Sequence, residues 1–249
     1  MPHQSTSIDQ SPASSLWFEN ESFLLDQSRL YDRPKGFSQR FGSGQLIKNE
    51  TDLTASLFII LDGWVSLMKS LPNGQTQIID FGLPGDLFDL SSADGITAVI
   101  GLEAITDTTI AVLPHEDWLA LHQSSAEFAN ILGVEAAAIR SRIAERMLRL
   151  GRGSAEERLA YAFLELGIRS GAMIGNKPRR FSLPLTQQQI GDFMGLTSVH
   201  VCRTMRRMVR DDLITTDGHI NIDVINVPAI EDLAGITVAT LEKEIMIHV

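Results

Sequence analysis

Residues 186–208, TQQQIGDFMGLTSVHVCRTMRRM, restrict what this chain can fold into more than any other stretch. Two short helices held at a sharp angle need apolar or small residues inside, a turn that accepts positive φ, and a free outer face. Thr186 can cap the first helix, with Gln189 three positions on in capping-box spacing. Ile190 supplies the inner apolar contact and Gly191 keeps the helix crossing close. Gly195 makes the turn, where positive φ is cheap only without a Cβ. Thr197 then caps a second helix with Val201 and Met205 on its buried side, leaving Ser198, Val199, His200 and Arg203 able to face outward. Thr204 is the weak position, since a larger apolar residue is usual there. An ordinary amphipathic hairpin in a core would share much of this pattern. The crowding of Arg203, Arg206, Arg207 and Arg210 on one helix instead favours a helix-turn-helix that docks on DNA.

The net charge of −10 at first argues against a DNA binder. Resolved along the chain, it does not. Residues 1–139 carry 6 Lys/Arg against 18 Asp/Glu, residues 140–212 carry 14 against 7, and residues 213–249 carry 1 against 6. The positive charge is confined to the segment that holds the helix-turn-helix, a footprint for a phosphate backbone, with acidic flanks limiting indiscriminate binding.

Apolar content of 44% makes the chain globular, and 249 residues allow one large or two modest domains. No apolar run approaches the roughly 18 residues of a membrane helix. The start, MPHQSTSIDQSPASS, has neither a basic nor a hydrophobic region and reads as a polar tail rather than a secretory signal, which places the protein in the cytoplasm. The single cysteine, Cys202, excludes an internal disulfide and any zinc or iron–sulfur site that needs several thiolates.

From about Phe41 to Leu113 the sequence is a succession of short strands. LFIIL (57–61) ends at Asp62-Gly63, WVSLMK (64–69) follows, Pro72-Asn73-Gly74 turns the chain, and QTQIIDF (75–81) runs to Gly82. ITAVIGLEAI and TTIAVLP extend the pattern to Pro114, which predicts a small barrel or jelly roll. A long helix is predicted over 126–150. Phe128, Leu132, Ala136, Ile139, Ile143, Met147 and Leu150 recur on one stripe, whose length favours self-association over packing on its own β domain. Gly151 and Gly153 end it. A further helix over 154–170 leads through a polar loop to the helix-turn-helix. LITTDGHINID then reads as two short strands around Asp217-Gly218, and a last helix lies near Pro228–Ala234.

A β-roll, a long dimer helix and a C-terminal winged helix resemble the CRP/FNR family of bacterial transcription regulators, over about residues 25–232. LDGWVSLMKSLPNGQTQIIDFGLPGDLF (61–88) looks like the family's roll and LTQQQIGDFMGLTSVHVCRTMRRMVRDDLI (185–214) like its DNA-binding motif. The resemblance implies an α+β protein in four parts. These are a polar N-terminal tail (1–24), a cyclic-nucleotide-binding-like β-roll sensor (25–125), a dimerisation helix (126–152) and a winged helix-turn-helix domain (153–249). It further implies a homodimer, with Phe128, Leu132, Ile139, Ile143, Met147 and Leu150 at the seam. That dimer would bind a two-fold-related operator in double-stranded DNA and contact RNA polymerase. Carried over by position, Thr197, Ser198, Val199, His200 and Arg203 read base edges and phosphates, with Arg206 a candidate phosphate contact. Val199 stands where the family usually has a Glu, so the half-site differs, while Arg203 keeps the family Arg and can donate a bidentate pair to guanine.

The sensing half departs further from the family. Gly85-Asp86-Leu87 resembles the Gly-Glu-Leu of the phosphate cassette, but the Arg-Ser that grips a cyclic phosphate has no counterpart among Ile96, Thr97, Ala98 and Val99. No Lys or Arg occurs between Ser70 and Ile139, a stretch with ten carboxylates, and a buried phosphate without a cation is costly. Neither cyclic nucleotide nor an iron–sulfur cluster is therefore expected as effector, and no cofactor is assigned. His115 and His122 are candidate haem ligands only by elimination, with surface histidines as the plainer reading. A cupin-like metalloenzyme would need histidines on the strands, and none lies between His3 and His115. The remaining alternative is a ligand-binding regulatory module that acts on a protein partner. No catalytic set is discernible. Cys202, within the recognition helix, is either a small apolar filler or a redox-sensitive thiol whose oxidation would place negative charge at the DNA surface.

Overall fold

A computed structural model describes residues 38–246 apart from 54, 55, 93, 94, 96, 175, 176, 179, 180 and 217–220. The polar tail and the tip of the Asp217-Gly218 hairpin lie outside the described residues. Eight strands build the roll: β1 (Ser38–Phe41), β2 (Leu46–Lys48), β3 (Leu57–Asp62), β4 (Val65–Ser70), β5 (Thr76–Gly82), β6 (Leu87–Asp89), β7 (Gly101–Ala104) and β8 (Thr108–Leu113). They form two four-stranded antiparallel sheets, ordered β1-β8-β3-β6 and β2-β7-β4-β5. Inward residues from both sheets, among them Phe58, Ile60, Leu67, Phe88, Leu102 and Ile110, fill the space between them. The two turns read from sequence are present, since Gly63 (φ 81°) and Gly74 (φ 85°) reverse the chain.

Two helices then leave the roll. The first, α1 (His115–Ser124), was not legible as a helix, since its residues face partly outward and none is buried. Ser125 caps the second, accepting from the Phe128 N–H, and α2 runs from Ala126 to Arg152, 27 residues or about 40 Å. It passes through Gly151 and stops at Gly153. The Phe128–Leu150 stripe divides in the structure. Phe128 is 7% exposed and packs with Ile131 of its own helix and with Leu57, Leu87 and Leu113 of its own roll, so it does not lie on the open face. The aromatic ring fills the gap between α2 and the end of the strands. Leu132, Ile139, Ile143 and Leu150 are half-buried, with Leu132 and Ile139 leaning on the roll, whereas Met147 and Leu148 are 67% and 56% exposed.

Ser154 opens α3 (Ala155–Arg169) with a capping box to Glu157. Every residue from Leu159 to Arg169 is buried, so this helix, apolar on nearly all sides, is the centre of the molecule. Around it pack α4 (Gln187–Met194), α5 (Ser198–Arg210), α6 (Val227–Ala234) and α7 (Val238–Ile245). The last was not anticipated. Its Val238, Leu241 and Ile245 repeat at steps of three and four and seal the lower face of the core. The short strands β9 (Met173–Ile174) and β10 (Lys177–Pro178) pair with each other, and β11 (Phe181–Ser182), β13 (Asn221–Val224) and β12 (Ile214–Thr216) form a three-stranded sheet in that order. The β12–β13 hairpin is the wing that the sequence predicts.

Roll, α2 and α3 meet on a buried charge cluster. Asp80 of β5 accepts from Arg142 Nε at 3.0 Å, Arg146 Nη2 at 3.1 Å and Arg169 Nη1 at 3.0 Å. Arg146 also reaches Glu165 at 3.1 Å and the Ile79 carbonyl, and Arg169 reaches Asp86 at 2.7 Å and the Phe81 carbonyl at 2.6 Å. Burial alone would raise the Asp80 pKa, but the three guanidiniums outweigh it and hold the carboxyl well below the usual range. Asp80, Asp86 and Glu165 thus balance Arg142, Arg146 and Arg169. Glu135, also buried, is a fourth carboxylate without a cation of its own. Its Oε1 stands 3.8 Å from Arg142 Nη2, too far for a hydrogen bond, and neither atom has a hydrogen-bond partner among the described residues. Burial, then repulsion from Asp86 and Asp80, pushes this acid up to about 8 against the pull of Arg142 and Arg169.

A pH dependence follows from Glu135. Between its ordinary value of 4.5 and about 8 the folded chain keeps a proton that the unfolded chain has lost, so stability falls as pH rises across that window. Glu135→Gln, which needs no proton, should melt at least a few degrees higher than the wild type at pH 8 and show a flatter dependence of Tm on pH. Thermal denaturation from pH 5 to 8.5 measures both. Parallel curves for the two proteins would show that Glu135 is not the surplus charge.

Candidate nucleic-acid interface

The local chemistry of residues 186–210 forms the motif as its sequence predicts. Thr186 Oγ1 accepts from the Gln189 N–H at 3.2 Å, and Gln189 Oε1 accepts from the Thr186 N–H at 2.8 Å, so both ends of the capping box are made. Gly195 ends α4 in the left-handed region at φ 63°, its N–H donating to the Gly191 carbonyl. A Cβ at Gly191 would press into the Leu196 carbonyl oxygen, so the close crossing of α4 and α5 requires glycine there. Thr197 caps α5, accepting from the His200 N–H at 3.2 Å.

On the inner side of α5, Val201, Thr204, Met205 and Met208 are buried. Thr204 occupies the place of a larger apolar residue, and Met205 and Met208 beside it supply flexible bulk. On the outer side Thr197, His200, Arg203, Arg206, Arg207 and Arg210 are exposed, Ser198 is half-exposed and Val199 is 65% exposed. Ser198, Val199 and the four arginines border a shallow open groove that also includes Gln187 and the half-exposed Cys202. Nothing in the sequence pattern marks Gln187 for this groove. Its position as the first residue of α4, beside the start of α5, brings it to the groove.

The arginines divide into two pairs. Arg207 is held by Glu156 at 2.5 Å and Arg210 by Asp211 at 3.4 Å. Among the described residues neither Arg203 nor Arg206 has a carboxylate partner, and both point from the outer face. Two unengaged guanidiniums beside a valine and a histidine, on the exposed face of a helix whose other face is buried in the core, can meet phosphates and base edges in a groove of DNA.

The sensor-side candidates fall elsewhere. Asp86 Oδ2 accepts from the Leu83 N–H at 2.7 Å and from Arg169, so its carboxylate is committed inside the chain. His115 and His122 lie on the exposed side of α1, edge-on to Trp118 with ring centroids 5.2 Å and 6.4 Å apart. Among the described residues no group of three or more His, Cys, Asp or Glu is placed to hold a metal ion, and no helix is long and apolar enough to cross a membrane.

Comparison with known proteins agrees with this geometry. The Crp-like helix-turn-helix domain model matches residues 157–233 and the cyclic nucleotide-binding domain model matches residues 38–125. The nitrogen fixation regulation protein FixK of Bradyrhizobium diazoefficiens is 32% identical over 203 residues, 78% of this chain and 81% of FixK. The transcriptional activatory protein AadR of Rhodopseudomonas palustris is 33% identical over 176 residues, 70% of this chain and 72% of AadR. The structure of FixK2 from Bradyrhizobium japonicum superposes with a TM-score of 0.71 at 26% identity, covering 79% of this chain and 96% of that one. Roll, long helix and arginine-bearing helix-turn-helix, together with these relatives, establish that the chain belongs to the CRP/FNR family of DNA-binding transcription regulators.

Proposed function

We propose that the protein works as a homodimer on a two-fold-related operator, reads it with the start of α5, and contacts RNA polymerase from the bound promoter. The observation that carries this reading is the free pair Arg203 and Arg206 on an outer face whose other two arginines are engaged. Thr197, Ser198, Val199, His200 and Arg203 address base edges and adjacent phosphates, and Arg206 addresses the backbone. Arg203→Ala should lose about 1–3 kcal/mol on the specific site and relax preference at one base pair. Arg206→Ala should weaken all sequences alike and flatten the salt dependence. Fluorescence anisotropy on specific and random duplexes separates the two, and equal losses on both for Arg203→Ala would reduce that residue to a backbone contact. Adding polymerase to the same promoter should give a ternary complex in a gel shift, and its absence would refute the polymerase contact.

The dimer reading is supported by the side of α2 that turns away from the roll. Met147 and Leu148 are exposed there, and Ile143 and Leu150 are only half-buried. Together they form a stripe that a second copy of the helix would cover. Ile143→Asp or Met147→Asp would bury two unpaired carboxylates near a two-fold axis at a cost of several kcal/mol, giving monomers that bind operator poorly. Light scattering that finds both variants still dimeric would defeat this assignment.

The roll, in this reading, is gated by neither cyclic nucleotide nor an iron–sulfur cluster. Asp86 is already occupied by Arg169, and Arg142, Arg146 and Arg169, the three guanidiniums gathered beside it, are engaged by Asp80, Asp86 and Glu165, so none of the three is left for a phosphate. One cysteine cannot hold a cluster. Calorimetric titration with cyclic AMP or cyclic GMP should give no binding and no change in operator affinity. Micromolar binding that tightens the DNA complex would return the protein to the nucleotide-gated branch of its family.

A further inference from the structure

The last carbonyls of a helix have no partner within it, and in a folded protein something else must donate to them. At the end of α4 the Gly191 carbonyl is satisfied within the motif, but the donors to the carbonyls that follow come from outside it. Gln77, on β5 of the roll, donates its side-chain amide to the carbonyl oxygens of Asp192 and Phe193, the latter at 3.2 Å. Arg158, on α3, donates to the carbonyls of Met194 at 3.2 Å and Gly195 at 3.4 Å. The same guanidinium reaches Gly153 at 3.0 Å and Leu150 at 2.9 Å, at the end of α2. Phe193 is buried between the Phe81 ring, 4.7 Å away between centroids, and the Arg146 guanidinium, 4.4 Å above its ring. The first helix of the motif is therefore fastened by side chains from the roll, from α2 and from α3. The outer face of α5 is untouched by these contacts.

We propose that Gln77 is a positioning residue for DNA binding: its amide, working with the Phe81–Phe193–Arg146 stack, ties the helix-turn-helix to the roll and thereby sets the separation of the two recognition helices in the dimer. The proposal rests on the dimeric reading above. Two half-sites are read together only when the recognition helices lie about one turn of DNA apart, about 34 Å. A motif free to swivel about α3 must be ordered at the moment of binding, whereas one fastened at α4 has that ordering made in advance. The fastening is also directional. Gln77 offers N–H donors to carbonyl oxygens at the negative end of a helix, so a carboxylate in its place would be repelled. Because Gln77 lies on the hairpin β4–β5, a shift of that hairpin reaches the motif directly through its side chain.

The test uses the full-length protein and three duplexes: an operator with the preferred half-site spacing, the same operator with two base pairs inserted between half-sites, and a single half-site. For the wild type, light scattering should give a dimer and anisotropy should rank the operator above the other two. A monomeric wild type, or one without preference for paired half-sites, refutes the dimeric reading and this proposal with it. Given that ranking, Gln77→Ala should bind the operator about three- to tenfold more weakly, the size of one lost hydrogen bond. Its discrimination against the inserted spacer should shrink, while its single half-site affinity and its mass stay unchanged. Gln77→Glu should show the same pattern more strongly. Circular dichroism and thermal melting identify any variant that is misfolded. In that event the conservative Gln77→Asn, which keeps the donor but shortens its reach, is read by the same two ratios. An unchanged spacing preference in the folded variants, equal losses on operator and single half-site, or tighter operator binding would each overturn the proposal.

Discussion

The three guanidiniums around Asp80 are the interaction on which the arrangement of parts depends. Arg142 and Arg146 come from α2, Arg169 comes from α3, and Asp80 belongs to the roll, so one carboxylate joins the roll, the long helix and the core of the DNA-binding half. Buried ion pairs are weak contributors to net stability, because desolvation of both partners offsets much of their attraction. Their geometric demand is strict, however. Removing a partner or shifting it by an ångström leaves a buried charge uncompensated, so the cluster accepts one relative placement of the three elements and penalises others.

Hydrophobic contacts then build outward from that placement. The apolar surface of α3 is shared among α4, α5, α6 and α7, and Ile78, Phe81 and Leu83 of the roll join the same continuous core. A linker does not separate the roll from the DNA-binding half in this arrangement: they share side chains. Arg146 shows this most directly, since it pairs with Asp80 and Glu165 while its flat face covers Phe193 of the helix-turn-helix. Such a junction transmits small displacements, because close-packed interiors and buried charge clusters shift between discrete arrangements more readily than they deform.

The same economy explains the division of charge on α5. Arg207 and Arg210 are tied to Glu156 and Asp211 near the end of the helix, which steadies its exit toward the wing. Arg203 and Arg206, one and two turns from the start, have no carboxylate partner among the described residues. Exposed ion pairs of this kind are worth little energetically, and their effect here is to choose which guanidiniums remain unengaged.

The sequence by itself determined the elements whose information is local. The capping box at Thr186, the left-handed turn at Gly195, the close crossing at Gly191 and the hairpins at Gly63 and Gly74 depend on residues only a few positions apart, so spacing and residue type were enough to place them. The outward set on α5 followed from helical periodicity alone. Tertiary structure decided whatever depends on a partner distant in the chain. The stripe from Phe128 to Leu150 is regular, yet only packing revealed that Phe128 belongs to its own roll, because periodicity identifies an apolar face without naming what covers it. The absence of any Lys or Arg between residues 70 and 139 was visible, but not that Arg169, 83 positions beyond Asp86, would take the carboxylate there. Nor could composition indicate that Glu135 is the surplus carboxylate of the buried cluster, or that Gln77 caps a helix 115 residues away. Charge balance and helix capping at these sites arise only when the fold brings the partners together.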